Sequence, residues 1–356
     1  MKRPRSIFMA ALAVLVAVGF TMPAQPVSAQ SSAALSIVPK KNYTIEPGKS
    51  VKDKLTIRNL DNNLPLELNL RVIDFTYTND TGTPKLMLAE DAPQTTWSLK
   101  PFLTVPKTVT IPPKGSKTIE MSVSVPAKGG AGSYYSAIVY SAGSADGGNV
   151  GLSASGVTLV FASIPGKVKE DLKLEKLGAY MTDKSTKKAD YVFMTTEEPQ
   201  NIAYTLKNNG SVTEAPVGTI TLKDLFGRER AINDVNPNSS LALIGQTRTY
   251  TACIKLASES VDFNGEKTEA KKCTPPGLWP GYYSVTADLF YGQNGNNTQE
   301  IVGKGSFWYL PLWFIIVLIV VLAVAAFYIR KLVLKIRNKM YGPQIKKSSR
   351  VRSTRK

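Results

Sequence analysis

The chain has 356 residues, a formal net charge of +17, two cysteines and no histidine. Without His, Ser-His-Asp catalysis, Cys-His catalysis and the common zinc sites are excluded together. The charge sits at the ends, in Lys2, Arg3 and Arg5 and in eleven Lys or Arg after Ile329; the stretch between carries only +3, so no nucleic-acid partner is expected.

After the basic start, an apolar stretch runs from Ile7 to about Phe20, and Val27-Ser28-Ala29 offers small residues before Gln30. This is the layout of a secretory signal peptide over residues 1–29, cut between Ala29 and Gln30, with an uncleaved anchor as the alternative. Residues 30–306 then suit two domains of ordinary size. Leu66, Leu68, Leu70 and Val72 alternate with polar residues, and the apolar phase shifts to Phe75 and Tyr77, which suggests a bulge near Ile73. Ile119, Met121, Val123 and Val125 repeat the alternation. The Gly/Ser/Ala-rich stretch 141–156 reads as a hairpin tip, and Val157 to Ile164 as a closing strand. A boundary at Pro165-Gly166-Lys167 gives a first β-sandwich over 30–166.

The second sandwich is expected over 167–306. Ile202, Tyr204 and Leu206 alternate, as do Tyr250, Ala252, Ile254 and Leu256, then Tyr283, Val285, Ala287, Leu289 and Tyr291. Turn residues punctuate these runs, including Pro47-Gly48, Pro113-Lys114-Gly115 and Asn209-Gly210. Cys253 and Cys273 read as a disulfide in an oxidising compartment, with two free thiols as the alternative. There is an internal echo: Ile57-Arg58-Asn59 and Leu206-Lys207-Asn208 each run from a strand into an Asn-rich turn. Two copies of one immunoglobulin-like plan would explain it, and so would chance likeness among sandwich strands.

The run 307–329 reaches roughly 34 Å as a helix, enough to cross a bilayer core of about 30 Å. Trp308, Tyr309 and Trp313 on one side and Phe327 and Tyr328 on the other suit the headgroup zone. Arg330 and Lys331 open a basic tail, 330–356, which is expected to stay cytoplasmic and touch anionic lipid, leaving the preceding domains outside the cell. The expectation is an all-β chain of two tandem immunoglobulin-like sandwiches plus one transmembrane helix, a single-pass protein of the cell membrane.

The segments Ser36-Ile37-Val38-Pro39, Tyr43 to Lys49 and Leu55 to Asn59 resemble the opening of the DUF916 family, which includes the N-terminal domain of WxL-interacting proteins. Trp97, Ile111 to Gly115, Val123 to Pro126 and Gly132 to Ile138 extend the resemblance across roughly 35–170. It implies a bacterial surface protein whose first domain is linked to peptidoglycan and which binds other wall proteins. The second domain departs from that pattern, and no binding residue of the family maps onto this sequence.

Chemistry is sparse. Ser116-Lys117 and Ser185-Thr186-Lys187 lie beside turns, and Glu90-Asp91 and Glu197-Glu198 are adjacent pairs rather than carboxylates facing across a sugar cleft. The calcium-like fragments Asn79 to Gly82 and Asp146 to Asn149 lack a full ligand set. No enzyme, metal or cofactor is expected. Of each pair Tyr134/Tyr135 and Tyr282/Tyr283, one ring should enter a core and the other face outward, which makes these four a candidate binding surface. The function expected is a non-enzymatic envelope scaffold or adhesin holding cell-wall polymer or another surface protein. The alternative is a membrane-tethered chaperone that captures secreted subunits by pairing along a strand edge.

Overall fold

Period-two alternation governs almost every element. The structure, a computed structural model, describes residues 35–78, 82–89, 91–142, 154–263, 266–292 and 296–342. The signal segment with Ala29 and Gln30, the two calcium-like fragments in most of their length, most of the Gly/Ser/Ala stretch and the tail beyond 342 lie outside the described residues.

The first sandwich contains β1 (Leu35–Ser36), β2 (Lys40–Thr44), β3 (Ser50–Asn59), β4 (Leu66–Ile73), β5 (Phe75–Tyr77), β6 (Pro84–Leu86), β7 (Leu103–Thr104), β8 (Thr108–Ile111), β9 (Ser116–Ser124), β10 (Gly132–Ala142) and β11 (Ala154–Ile164). One sheet has the order β1-β3-β9-β7 and the other β2-β11-β10-β4-β8, with β5 and β6 forming a small hairpin. The second sandwich contains β12 (Leu172–Thr182), β13 (Ala189–Val192), β14 (Met194–Thr195), β15 (Asn201–Asn208), β16 (Val217–Asp224), β17 (Glu229–Ile232), β18 (Thr247–Cys253), β19 (Leu256–Phe263), β20 (Glu266–Cys273), β21 (Gly281–Tyr291) and β22 (Gln299–Tyr309). Its sheets run β13-β12-β15-β18 and β14-β22-β21-β16-β17, with β19 and β20 as a separate hairpin. The chain is thus all-β, two immunoglobulin-like sandwiches in tandem, followed by one apolar helix, α1 (Leu312–Tyr341).

The two sandwiches share a wiring. Each five-stranded sheet begins with a short strand that runs parallel to the last long one, β2 beside β11 and β14 beside β22. The Asn echo is also structural. Asn59 is buried, donates from Nδ2 to the Leu64 carbonyl at 2.9 Å and accepts from the Asp61 N–H at 2.9 Å. Asn208 is buried too, donates to the Val212 carbonyl at 2.7 Å and accepts from the Gly210 N–H at 2.8 Å. Each side chain satisfies backbone groups where a strand leaves its sheet, a place where unpaired donors and acceptors would be costly.

Three details differ from the sequence reading. The phase shift after Val72 is a strand break rather than a bulge: β4 ends at Ile73, and β5 begins at Phe75. The intervening Asp74 is buried, accepting hydrogen bonds from Ser98 Oγ at 2.6 Å, Ser136 Oγ at 3.0 Å and the Thr95 N–H at 3.1 Å. The apolar run beginning at Phe307 is also divided. Phe307, Trp308 and Tyr309 belong to β22, where Phe307 stacks on Tyr283 inside the second core at a centroid distance of 5.1 Å. An aromatic run next to a span has the composition of either element, and here pairing with β21 takes it. The helix starts at Leu312 and continues past Ile329, carrying Tyr328, Arg330 and Lys331 on its surface.

Candidate binding cleft between the sandwiches

Strand β10 shows why the sandwiches join where they do. Its sequence, Ser133-Tyr134-Tyr135-Ser136-Ala137-Ile138-Val139-Tyr140, is apolar on both faces. Tyr134, Ile138 and Tyr140 pack into the first core. Tyr135, Ala137 and Val139 point the other way, into a separate cluster with Ile73, Phe75 and Phe161. A half-solvated sheet could not leave that face bare. Leu241, Leu243 and Ile244 of the second sandwich cover it, together with Trp97 and the β5–β6 hairpin.

The joint is aromatic at its centre and hydrogen-bonded at its rim. Phe75, Tyr135 and Phe161 pack with centroids 5.3 to 5.8 Å apart, and Trp97 stacks on Tyr135 at 6.1 Å. The Ser133 N–H donates to the Ser211 carbonyl at 3.1 Å, the Thr213 N–H to Ser133 Oγ at 3.0 Å, and the Tyr77 N–H to Gln246 Oε1 at 3.1 Å. The Arg248 guanidinium lies over Tyr77 at 5.0 Å and over Tyr250 at 5.1 Å. Burial, with the Asp74 carboxylate nearby, pushes the Tyr135 hydroxyl far above its usual range; the oxygen faces the backbone at Ile244 without ordinary hydrogen-bond geometry.

Beside this joint a cleft of about 360 Å³ opens between the sandwiches, lined on one side by Lys40, Asn42 and Thr44 of β2 with Phe161, and on the other by Thr213 and Leu241. Among the described residues β2 is an outermost strand, paired only with β11. The Leu159 N–H bonds the Pro39 carbonyl and the Ile45 N–H bonds the Ser163 carbonyl, so the odd-numbered residues face β11. In a parallel ladder alternate residues direct their backbone groups to opposite sides. The N–H and C=O of Lys40, Asn42 and Thr44 therefore point away from the sheet.

The opposite side chains of β2 hold it in place. Asp53 of β3 accepts from Lys41 Nζ at 2.8 Å and from the Tyr43 hydroxyl at 2.5 Å. These bonds, led by the one from Lys41, keep the Asp53 carboxyl at about 2, well below its usual value. The Lys40 ammonium lies 5.0 Å from the Phe161 ring centre, and desolvation there lowers its pKa. One further titratable group borders the cleft. Glu214, between Thr213 and Ala215, is buried, and among the described residues neither carboxylate oxygen has a partner of ordinary hydrogen-bond geometry. Burial, and then the charge of Glu170, push it up to about 7; the Gly292 backbone offsets part of this.

The residues singled out from sequence do not gather here. Tyr135 is 0% exposed, so the outward partner expected from alternation is covered by the second sandwich. Tyr134 packs edge-on to Phe102, Tyr282 packs against Trp308, and Tyr283 is buried with its hydroxyl on the Trp279 carbonyl. The two pairs lie in different sandwiches and form no common surface. Cys253 and Cys273 are joined by a disulfide at the root of the β19–β20 hairpin. Ser185 donates to Asp183 within a turn. Among the described residues no three His, Cys, Asp or Glu side chains group as metal ligands. The cleft residues of β2 carried a sequence signal, the alternation of Lys40, Asn42 and Thr44 with Lys41 and Tyr43; Glu214 carried none.

Neither a protein-family model nor a curated protein matches the chain. Solved structures similar to it include a chaperone–tip adhesin complex of CFA/I fimbriae (14% identity, 78% of this chain and 100% of that one, TM-score 0.36). Others are the class 5 fimbriae chaperone CfaA (14%, 78% and 100%, TM-score 0.34) and the E. coli chaperone DraB (12%, 76% and 98%, TM-score 0.31). Likeness at this level speaks to neither activity nor partner.

Proposed function

We propose that the chain is a non-enzymatic, membrane-anchored binding protein whose paired sandwiches hold an extended segment of another surface or secreted polypeptide along β2. The observation that carries this reading is the edge of Lys40, Asn42 and Thr44 at the mouth of the cleft, which no described strand pairs. An added strand would satisfy those backbone groups, while its side chains would meet Phe161 and Leu241. The Lys41–Asp53–Tyr43 contacts keep the edge straight before a partner arrives, which lowers the ordering cost of binding. The sandwiches lie outside the cell, and α1 anchors them with its basic end in the cytoplasm.

A second reading, retention of cell-wall polymer, draws on Lys40 over the Phe161 face, on the hydroxyls of Ser163 and Thr213, and on the DUF916 resemblance over 35–170. The Asn42→Pro variant of the full-length protein separates the two. Proline there removes an outward N–H and leaves the β11 ladder intact. Photo-crosslinking from Thr44 in intact cells should trap exported proteins in the parent and lose them in Asn42→Pro. Retention on purified sacculi that survives Asn42→Pro and is abolished by Lys40→Ala would favour the polymer. If neither exported protein nor sacculi is held by the parent, both readings fail.

A further inference from the structure

The end of the second sandwich from which α1 emerges is ringed with exposed apolar side chains. Outside α1, the aromatic residues more than half exposed among the described residues are Phe193 (64%), Phe226 (72%) and Trp279 (56%). They come from three separate loops, yet strand register brings all three to one end. The Trp308 N–H bonds the Phe193 carbonyl at 2.7 Å. Asp224 pairs with Tyr283, which pairs with Phe307, so the Leu225-Phe226 turn projects from the level of Phe307 toward Tyr309. Gly281 pairs with Tyr309, and Trp279 lies two residues beyond it. Met194 and Leu225, next in sequence to Phe193 and Phe226, are exposed as well, and the Arg228 guanidinium, paired with Asp224 at 2.6 Å, sits 5.6 Å from the Phe226 ring centre.

No slack separates this ring from the helix. Only Leu310 and Pro311 join β22 to α1, and the Leu310 N–H is tied to the Thr195 carbonyl at 2.9 Å. From Leu312 to Ile329 the helix has 18 residues without a charge, or about 27 Å. A bilayer core is about 30 Å thick, so the span needs α1 from its first turn. The end of β22 must then lie at the headgroups, and whatever projects beside it projects into lipid. Aromatic rings with an apolar body suit that zone.

We infer that the Phe193, Leu225-Phe226 and Trp279 loops form a footing that enters the headgroup layer and seats the second sandwich on the membrane. The inference rests on α1 spanning the bilayer, and the test separates the two. The full-length protein, with Cys253–Cys273 intact, is placed in vesicles of phosphatidylcholine and phosphatidylglycerol, with an environment-sensitive fluorophore attached at Phe226→Cys, Trp279→Cys, Val320→Cys or Lys52→Cys. Lipids carry a nitroxide either near the glycerol backbone or at the acyl end. The footing predicts blue-shifted emission at 226 and 279, quenched several-fold more by the shallow nitroxide. Val320 should be quenched by the deep one and Lys52 by neither. If 226 and 279 behave like Lys52 while Val320 is quenched from depth, the span stands and the footing is overturned. If Val320 is also water-exposed, the spanning helix itself fails and the footing with it.

Discussion

Glu214→Gln is the most informative single change beside the cleft. In the folded protein the carboxyl is buried with no partner of ordinary hydrogen-bond geometry among the described residues, and burial pushes its pKa up to about 7 against 4.5 when freely solvated. Below 4.5 it is neutral in both folded and unfolded chains. Between 4.5 and about 7 only the unfolded chain releases the proton, so stability falls as pH rises through that window and levels off above it. A shift of that size corresponds to about 3 kcal/mol, an upper figure because local opening admits water. Gln keeps the shape and removes the titration. Urea unfolding of the full-length protein in micelles, followed by Tyr and Trp fluorescence, should show the variant gaining on the parent by roughly 1 to 3 kcal/mol from pH 4.5 to 8. The gain should extend to the joint, because the Glu214 N–H and C=O are bridged to Ala242, next to Leu243. Parent and variant curves that stay parallel across the window would refute the assignment.

Other perturbations have equally definite outcomes. Asp53→Ala should cost about 1 kcal/mol, since the site is partly solvated, and should speed hydrogen exchange at Lys41 and Tyr43. In the parent, the contribution of Asp53 is present above pH 3.8 and lost as pH falls toward about 2, visible as an acid limb missing from the variant. Replacing Cys253 and Cys273 by Ser opens a 20-residue loop, and should lower stability by about 3 kcal/mol in the chain-entropy model, with new protease cuts in the β19–β20 hairpin. Gly305→Ala would drive a Cβ into the Leu177 carbonyl, where β22 packs against β12; a loss of about 2 to 3 kcal/mol in thermal unfolding is expected.

The sequence was most legible where one face of a strand is wet. In β21 the alternation of Tyr283, Val285, Ala287, Leu289 and Tyr291 matches the buried set residue for residue, as it does for Ile119, Met121 and Val123 in β9. It misled where both faces are covered. Nothing in Tyr134-Tyr135 says that a loop from the other sandwich, Leu241 to Ile244, will close over the second ring. The cleft was hidden for the same reason: Phe161, Thr213 and Leu241 meet only through the joint between the sandwiches. The helix start was ambiguous because Phe307-Trp308-Tyr309 suits a membrane rim and a terminal strand equally, and long-range pairing with Gly281 to Tyr283 decided it.

The aromatic joint and the two-residue link at Leu310-Pro311 together have a mechanical meaning. On the proposed reading, in which β2 holds a partner and α1 spans the bilayer, neither point offers slack, so tension applied to β2 would pass through both sandwiches and arrive at the base of α1 as torque. The load on the partner would then be felt directly as tilt of the anchor.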